Sequence, residues 1–275
     1  MKTTTPATTV NALWLSDIHF DKVSASQRGR LLDQISDTRS DCVFVTGDIS
    51  SSGKLMEHLA LLATACAPRP IFFVTGNHDY YGSSIAEVDA AINALCDSVA
   101  NLHHLDGRQI IPLTRDVCLI GHHGWSDARA GYGHRSHLRS PDHRAIRDFH
   151  GLTREQSLLR MQEMGKGSAI VIRQILPLAL TRFRHVIVLT HTPPYAEAVR
   201  YKGGPCDPLH LPHYVNVSAG LAIRGIARAF PRRRITILAG HAHSSSVTHI
   251  DPNICVRVAH ARTGRPGPLE ILQFT

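Results

Sequence analysis

Five short polar clusters, each following an apolar run, carry the residues of this chain that could do chemistry. They are Asp17-Ile-His19, Gly47-Asp48, Gly76-Asn77-His78-Asp79, His191 and Gly240-His241-Ala-His243. Their Asp, Asn and His side chains offer the oxygen and nitrogen donors that suit first-row divalent cations. Together they suffice for two such ions about 3.5–4 Å apart, the spacing of two-metal sites. In Asp17-x-His19 the ligands are two residues apart, so beyond a strand both can point to one side and chelate one ion. His241-Ala-His243 can do the same or divide between two ions. Asp48 has two carboxylate oxygens and is suited to bridge them. Asn77 adds a neutral oxygen, which keeps the site from becoming too anionic to accept a phosphate. Gly47, Gly76 and Gly240 let the backbone turn sharply and come close to the ions. A hydroxide shared by two such ions forms near neutral pH. It could attack phosphorus in line while the cations neutralise the non-bridging oxygens.

The elements that must position these residues alternate. Strand-like Ala12–Leu15, Cys42–Thr46 and Ile71–Thr75 lead into the first three clusters. Helical sequence separates them, across about 26–37 and from Ser51 or Ser52 to about Cys66, and resumes from near Ser84 to near Val99. This βαβαβ order with continuously apolar strands predicts a parallel sheet covered on both faces, with right-handed crossovers. Functional residues of such sheets gather beyond the carboxyl ends of the strands, so the five clusters should converge on one edge. Shorter runs at Ile110–Leu113 and Val117–Ile120 are close enough to pair antiparallel. Residues 122–154 are dense in Arg, His, Gly and Ser and read as a long loop or insertion. Helix is expected over about 153–183, broken at Gly165 and Gly167 and kinked or divided at Pro177. His185–Thr190 and Ile235–Ala239 are strands leading into His191 and Gly240. A Pro/Gly-rich loop over 192–212 and a helix near 217–230 lie between them. Strands near 247–250, 254–258 and 269–273 close the chain. No repeat and no linker is visible, so a single domain over 1–275 is expected.

Composition bounds the rest. At 275 residues the chain is long enough for a large core, and 43% apolar with 19% charged residues is ordinary for a folded protein. No apolar run is long enough to span a membrane. Residues 1–9 lack the apolar stretch of a secretory signal and read as a short leader. Cys42, Cys66, Cys96, Cys118, Cys206 and Cys255 are scattered with no C-x-x-C pair, so they are expected to be reduced core residues of a cytoplasmic protein. The net charge of +8 favours anionic partners without naming one.

Each cluster alone reads as ordinary turn or cap chemistry. In this order the set resembles the calcineurin-like metallophosphoesterases, whose signature is D-x-H, G-D, G-N-H-[D/E], a lone His and G-H-x-H. The likeness runs from about Leu13 to His243. It implies an α/β fold, a four-layer α/β/β/α sandwich of two mixed β-sheets flanked by helices. It also implies one metal on Asp17, His19, Asp48 and His243 and a second on Asp48, Asn77, His191 and His241, the ions being Mn, Fe or Zn. His78 resembles the family's non-ligand histidine, so phosphate contact and leaving-group protonation are expected of it. Asp79 could orient His78 or another site histidine, or serve the turn. The family's protein Ser/Thr phosphatases carry Asp and Arg just after Gly-Asp. Ile49-Ser-Ser-Ser-Gly53 stands there instead and argues against that subgroup.

Substrate contacts are expected from the segment after Ile120. His122 or His123 could touch substrate, and Trp125 could stack on a base or sugar. Arg135, with Arg129, Arg139, Arg144, Arg147 and Arg154, could bind a polyanion, although charge runs are usually solvated faces. Arg232-Arg-Arg234 reads as a solvated turn. The expected activity is hydrolysis of a phosphomonoester or phosphodiester. A nuclease acting on DNA or RNA is the alternative the basic balance suggests. A non-catalytic scaffold of the same fold is the other, yet every ligand position and His78 is filled.

Overall fold

The apolar runs that precede the polar clusters are strands with both faces covered. The computed structural model describes residues 9–201, 203–265 and 269–275. The leader expected over 1–9 falls almost wholly outside them. The first half builds β1 (Val10–Leu15), α1 (Ala25–Asp37), β2 (Cys42–Thr46), α2 (Ser52–Cys66), β3 (Ile71–Val74), α3 (Ile85–Ser98) and β4 (Leu102–His104). After these come β5 (Ile111–Pro112), β6 (Val117–Gly121), α4 (Asp142–Ala145), α5 (Arg154–Arg182) and β7 (His185–Leu189). The short β8 (Arg200–Tyr201) and β9 (Gly204–Pro205) pair as a hairpin inside the expected Pro/Gly-rich loop. The chain then runs through α6 (Val217–Ala229), β10 (Arg234–Ala239), β11 (Ser246–Asp251), β12 (Ile254–Val258) and β13 (Glu270–Phe274).

Two mixed sheets result, ordered β13-β1-β2-β3-β4 and β11-β12-β10-β7-β6-β5. The expected parallel pairing of β1, β2 and β3 and the antiparallel pairing of β5 with β6 are both present. Side-chain alternation makes the layers. Leu13, Leu15, Val43, Val45, Ile71 and Phe73 point to a core shared with α1, α2 and α3. Their neighbours Ala12, Trp14, Phe44, Phe72 and Val74 meet Leu119, Ile187, Leu189 and Leu238 between the sheets. Val186, Val188, Ile235 and Ile237 face α5 and α6 on the far side. The order helix, sheet, sheet, helix is the four-layer sandwich expected, and it explains why the strands read as unbroken apolar runs.

The helices start where polar caps stand. Ser24 with Gln27 and Thr153 with Gln156 form capping boxes on α1 and α5, and Ser84 caps α3. One expectation fails: α5 runs 29 residues without a break at Gly165, Gly167 or Pro177. Gly165 serves packing, since a Cβ there would stand 2.4 Å from Asp127 Cβ. Pro177 deprives the Arg173 carbonyl of its helical donor, but Arg173 lies on the exposed side. Buried Ile172, Ile175, Leu176, Ala179 and Leu180 hold both flanks of the proline to the sheet. That burial outweighs the roughly 3 kcal/mol a mid-helix proline costs.

The segment 122–154 is no open loop. Ser136 Oγ donates to the Leu209 carbonyl at 2.6 Å, His213 Nε2 to the Leu138 carbonyl at 3.1 Å, and Arg154 reaches the carbonyls of His134 and Ser136. The insertion is thereby tied to the 207–214 turn across the same end of the sheets.

Candidate metal centre

The clusters follow β1, β2, β3, β7 and β10, so their convergence comes from two sheets rather than from one sheet edge. β1, β2 and β3 deliver Asp17, His19, Asp48 and Asn77 from one sheet, while β7 and β10 deliver His191, His241 and His243 from the other. The glycines allow the approach. A Cβ on Gly47 would stand 2.6 Å from His191 Nδ1, and one on Gly76 would stand 2.1 Å from Asp48 Oδ1. Asp17, His19, Asp48, His241 and His243 themselves adopt left-handed backbone, with φ between 41° and 68°. That conformation is uncommon for non-glycine residues and gathers at functional sites.

Asp17, His19, Asp48 and His243 each bring one donor atom within 4.8 Å of the others. His243 Nε2 lies 3.1 Å from Asp17 Oδ1 and 3.4 Å from His19 Nε2, and His19 Nε2 lies 3.7 Å from Asp48 Oδ2. The other oxygen of Asp48, Oδ1, is 3.3 Å from His191 Nε2. Asp48 therefore turns its two oxygens toward two different donor groups.

The second group is defined by its hydrogen bonds. His191 Nδ1 donates to the Thr46 carbonyl at 2.8 Å, which leaves the lone pair on Nε2. His241 Nε2 donates to the His213 carbonyl at 2.8 Å, which leaves the lone pair on Nδ1. These two bare nitrogens face one another at 3.1 Å. Asn77 Oδ1, also an acceptor, lies 3.1 Å from His191 Nε2. Its orientation is fixed from behind, because Asn77 Nδ2 donates to Asp142 Oδ1 at 2.8 Å and to Tyr81 Oη at 3.1 Å. Three acceptors (Asn77 Oδ1, His191 Nε2 and His241 Nδ1) thus converge with no hydrogen to share, and Asp48 Oδ1, which accepts the His78 N–H at 2.9 Å, lies beside them. Such a set repels itself unless a cation lies among them. The donor chemistry fits a metal in both groups.

For three of the histidines charge points the same way. Burial lowers His19, His191 and His241 to about 4, the neutral imidazoles that metals require. Burial pushes Asp48 well up, and the adjacent Asp17 and Asp79 carboxylates push it further. Burial also works upward on Asp17, but the His243 hydrogen bond and the nearby His191 and His243 hold it far below the carboxylate range. His243 is raised: burial lowers it, and the hydrogen bond to Asp17 more than reverses that.

The chain matches the family model for calcineurin-like phosphoesterases over residues 11–245. The protein belongs to that family. Among solved structures it is similar to a dimetal phosphatase from Danio rerio, 12% identical, with a TM-score of 0.59 over 96% of this chain and 91% of that one. It is also similar to the protein TT1561 of Thermus thermophilus, 13% identical, with a TM-score of 0.57 over 92% of this chain and 90% of that one. At such identities the likeness is one of fold. No curated protein matches the sequence.

The other expected site residues are placed unequally around this calcineurin-like centre. His78 lines the open cleft of about 660 Å³ over the two donor groups, its ring stacked on Tyr81 at 4.2 Å and edge-on to His19 at 4.6 Å between centroids, and burial lowers it to about 4. Asp79 lies behind the ligands. Oδ1 accepts from the Ile49 and Ser50 N–H groups at 2.8 and 2.9 Å, and Oδ2 accepts from Gly76 and Asp48 at 2.8 and 3.0 Å. Those bonds make it a clamp on two ligand loops, and no bond to His78 is among them. Burial pushes Asp79 up to about 7 against the pull of these N–H groups. Both oxygens receive only donors, so the ionised form is the one the pocket suits.

Three expected substrate contacts are not in the cleft. Trp125 is 3% exposed and stacked on Phe149, which takes its ring into the core and away from any base or sugar. His123 packs its ring on His122, and its carbonyl accepts from His191 N–H at 2.7 Å, so it braces a ligand loop. Arg135 is exposed on the insertion, while Arg139, four residues on, lines the cleft. Sequence reasoning passed over Asp142 and Tyr81. The available signal was Asp142 after Ser140-Pro141, with Asp127 and Asp148 the other aspartates of a segment rich in cations.

Proposed function

We propose that this calcineurin-like phosphoesterase hydrolyses phosphomonoesters or phosphodiesters of small organic molecules at a dinuclear centre. Asp17, His19, Asp48 and His243 would hold one ion, and Asp48, Asn77, His191 and His241 the other. The observation that carries this reading is the pair of acceptor groups that share Asp48, one facing each of its oxygens. Two Mn, Fe or Zn ions in such a site supply Lewis acidity and lower the pKa of water toward neutrality. The remaining work falls to the chain. His78 stands at the cleft wall, where it can contact a phosphoryl oxygen and give a proton to the leaving oxygen. An anionic ester beside it favours the imidazolium, raising the ring from about 4 toward the working pH. Tyr81 holds the ring by stacking, and Arg139 offers a positive charge at the cleft mouth. Tyr214 and His210 add aromatic surface that suits an organic leaving group.

Six free cysteines support a reducing, cytoplasmic setting. Among the described residues no helix is long and apolar enough to cross a membrane. A nuclease is the second reading. Arg135, Arg139 and Arg144 have no ion-pair partner among the described residues, which leaves them open to a polyanion. Binding of single-stranded DNA that weakens steeply with salt would favour it, and no binding at low salt would exclude it.

His78→Ala tests the main reading. Hydrolysis of an aryl phosphate by Mn-loaded protein should fall about 10²–10⁴-fold while both ions stay bound. Loss of metal, or an unchanged rate, would remove His78 from its role.

A further inference from the structure

We infer that Asp142 makes the 122–154 insertion part of the second metal site, so that filling this site and fixing the insertion are one event. The inference rests on the dinuclear reading above. Asp142 is 5% exposed and sits on α4, in the middle of a segment whose other charges are chiefly cations. Its Oδ1 accepts from Asn77 Nδ2 at 2.8 Å and from Tyr81 Oη at 2.6 Å. Asn77 Nδ2 also donates to Tyr81 Oη at 3.1 Å, which closes a three-membered ring of bonds.

A carboxylate has no hydrogen to give, so it decides which end of the Asn77 amide faces it. The NH₂ group turns to Asp142, and the carbonyl oxygen is left to face His191 Nε2. Without Asp142 the amide can turn over and bring its hydrogens to the bare nitrogen of His191. That bond would satisfy both groups and block the site. Asp142 is thus a positioning residue that acts through Asn77. Ligands of the first group, Asp17, His19 and His243, make no such contact with the insertion.

The coupling must run both ways, because the binding free energies are linked. A metal on Asn77 Oδ1 pins the amide, and the pinned amide holds Asp142 and with it α4. The wall formed by Leu138, Arg139, Ser140 and Pro141 borders the cleft just before Asp142. Metal filling therefore firms the cleft wall that faces the substrate.

The test uses the full chain and Mn²⁺ alone. Calorimetric titration and the Mn²⁺ spin-resonance signal report how many ions bind and whether they are spin-coupled. Asp142→Ala should weaken the second ion about 10–100-fold, the usual cost of losing such an outer contact, and leave the first unchanged. Its spectrum should change from that of a coupled pair to that of a single ion. Asp142→Asn keeps the shape of the side chain but brings an NH₂ group of its own, so it should hold the second ion more weakly than the natural chain, whereas a simple packing role would leave that affinity unchanged. Hydrogen exchange adds an independent readout. Mn²⁺ should slow exchange over 138–146 in the natural chain and not in Asp142→Ala. Two ions bound equally tightly to Asp142→Ala would overturn the inference while leaving the dinuclear reading intact. A natural chain that binds one ion would overturn both. Should Asp142→Ala fail to fold, Asp142→Asn and Tyr81→Phe carry the test. Tyr81→Phe removes two of the three bonds of the ring and should weaken only the second ion, so an unchanged second affinity in it would overturn the inference.

Discussion

Asp79→Asn separates a clamp from a partner of His78. The carboxylate accepts four backbone N–H groups, two on each oxygen, from loops that carry Asp48 and Asn77. An amide keeps one accepting oxygen and sets its NH₂ against the other two donors. Two hydrogen bonds to a charged group are lost, at about 1.5–3 kcal/mol each. Burying a neutral side chain instead of a charge offsets part of this, as the upward push of burial on Asp79 indicates. A net cost of about 3 kcal/mol is expected. For a chain of this size each kcal/mol moves Tm by about 2–4 °C, so Tm should fall by about 6–12 °C. Thermal unfolding followed by circular dichroism in EDTA reads this without the stabilising linkage of bound metal. A fall of less than about 2 °C, at most about 1 kcal/mol on the same scale, would refute the clamp. Unchanged stability with kcat lost would restore the alternative in which Asp79 orients His78.

Two further outcomes follow from geometry and burial. Gly240→Ala would put a methyl group 2.1 Å from Ser16 Oγ and 2.4 Å from Asp17 Oδ2, so bound Mn per chain should drop; full occupancy would show that Asp17 can move aside. Burial lowers His104 and His185 from their ordinary 6.5 to about 4. The unfolded chain takes up these protons first, so stability is full above about pH 6.5 and declines as pH falls toward 4. Denaturant midpoints in EDTA between pH 7 and 5 check this. His185→Gln, which can keep the Thr236 contact, should flatten the slope, and a flat natural profile would contradict it.

The strands and the polar clusters at their ends were legible because both are local. A strand buried on two faces must be continuously apolar, and a residue beyond its end is free to be polar. The four layers followed from the family pattern, and they show in the alternation of Leu13 and Leu15 against Ala12 and Trp14. What was not legible depends on contacts distant in sequence. Gly165 and Pro177 look like breakers until Asp127 and the sheet are packed against α5. Trp125 looks like a stacking platform until Phe149 covers it. Asp142 lies 65 residues from Asn77, and nothing nearby in the sequence announces their meeting.

The left-handed backbone of the proposed ligands explains why Asn77 is the one that needs outside help. Such a conformation costs of order 1–3 kcal/mol per residue, with Asp and His near the lower end. At Asp17, His19, Asp48, His241 and His243 the surrounding loops hold it. Asp17 N–H donates to Gly47 and His19 N–H to Asp48 at 3.0 Å each, and His241 N–H donates to Asp17 Oδ1 at 3.0 Å. These bonds cross from one of these loops to another, so the strained residues brace each other. Asn77 differs. Its backbone is ordinary right-handed helical, at φ −67°, and it opens the short turn His78–Tyr80. Backbone geometry alone does not settle which end of its amide points inward. That choice is made by Asp142 and Tyr81, one carried on the insertion and the other packed against His78. On the proposed dinuclear reading, the donor least constrained by the sheets would therefore be the one through which the cleft wall and the proposed proton donor sense the metal.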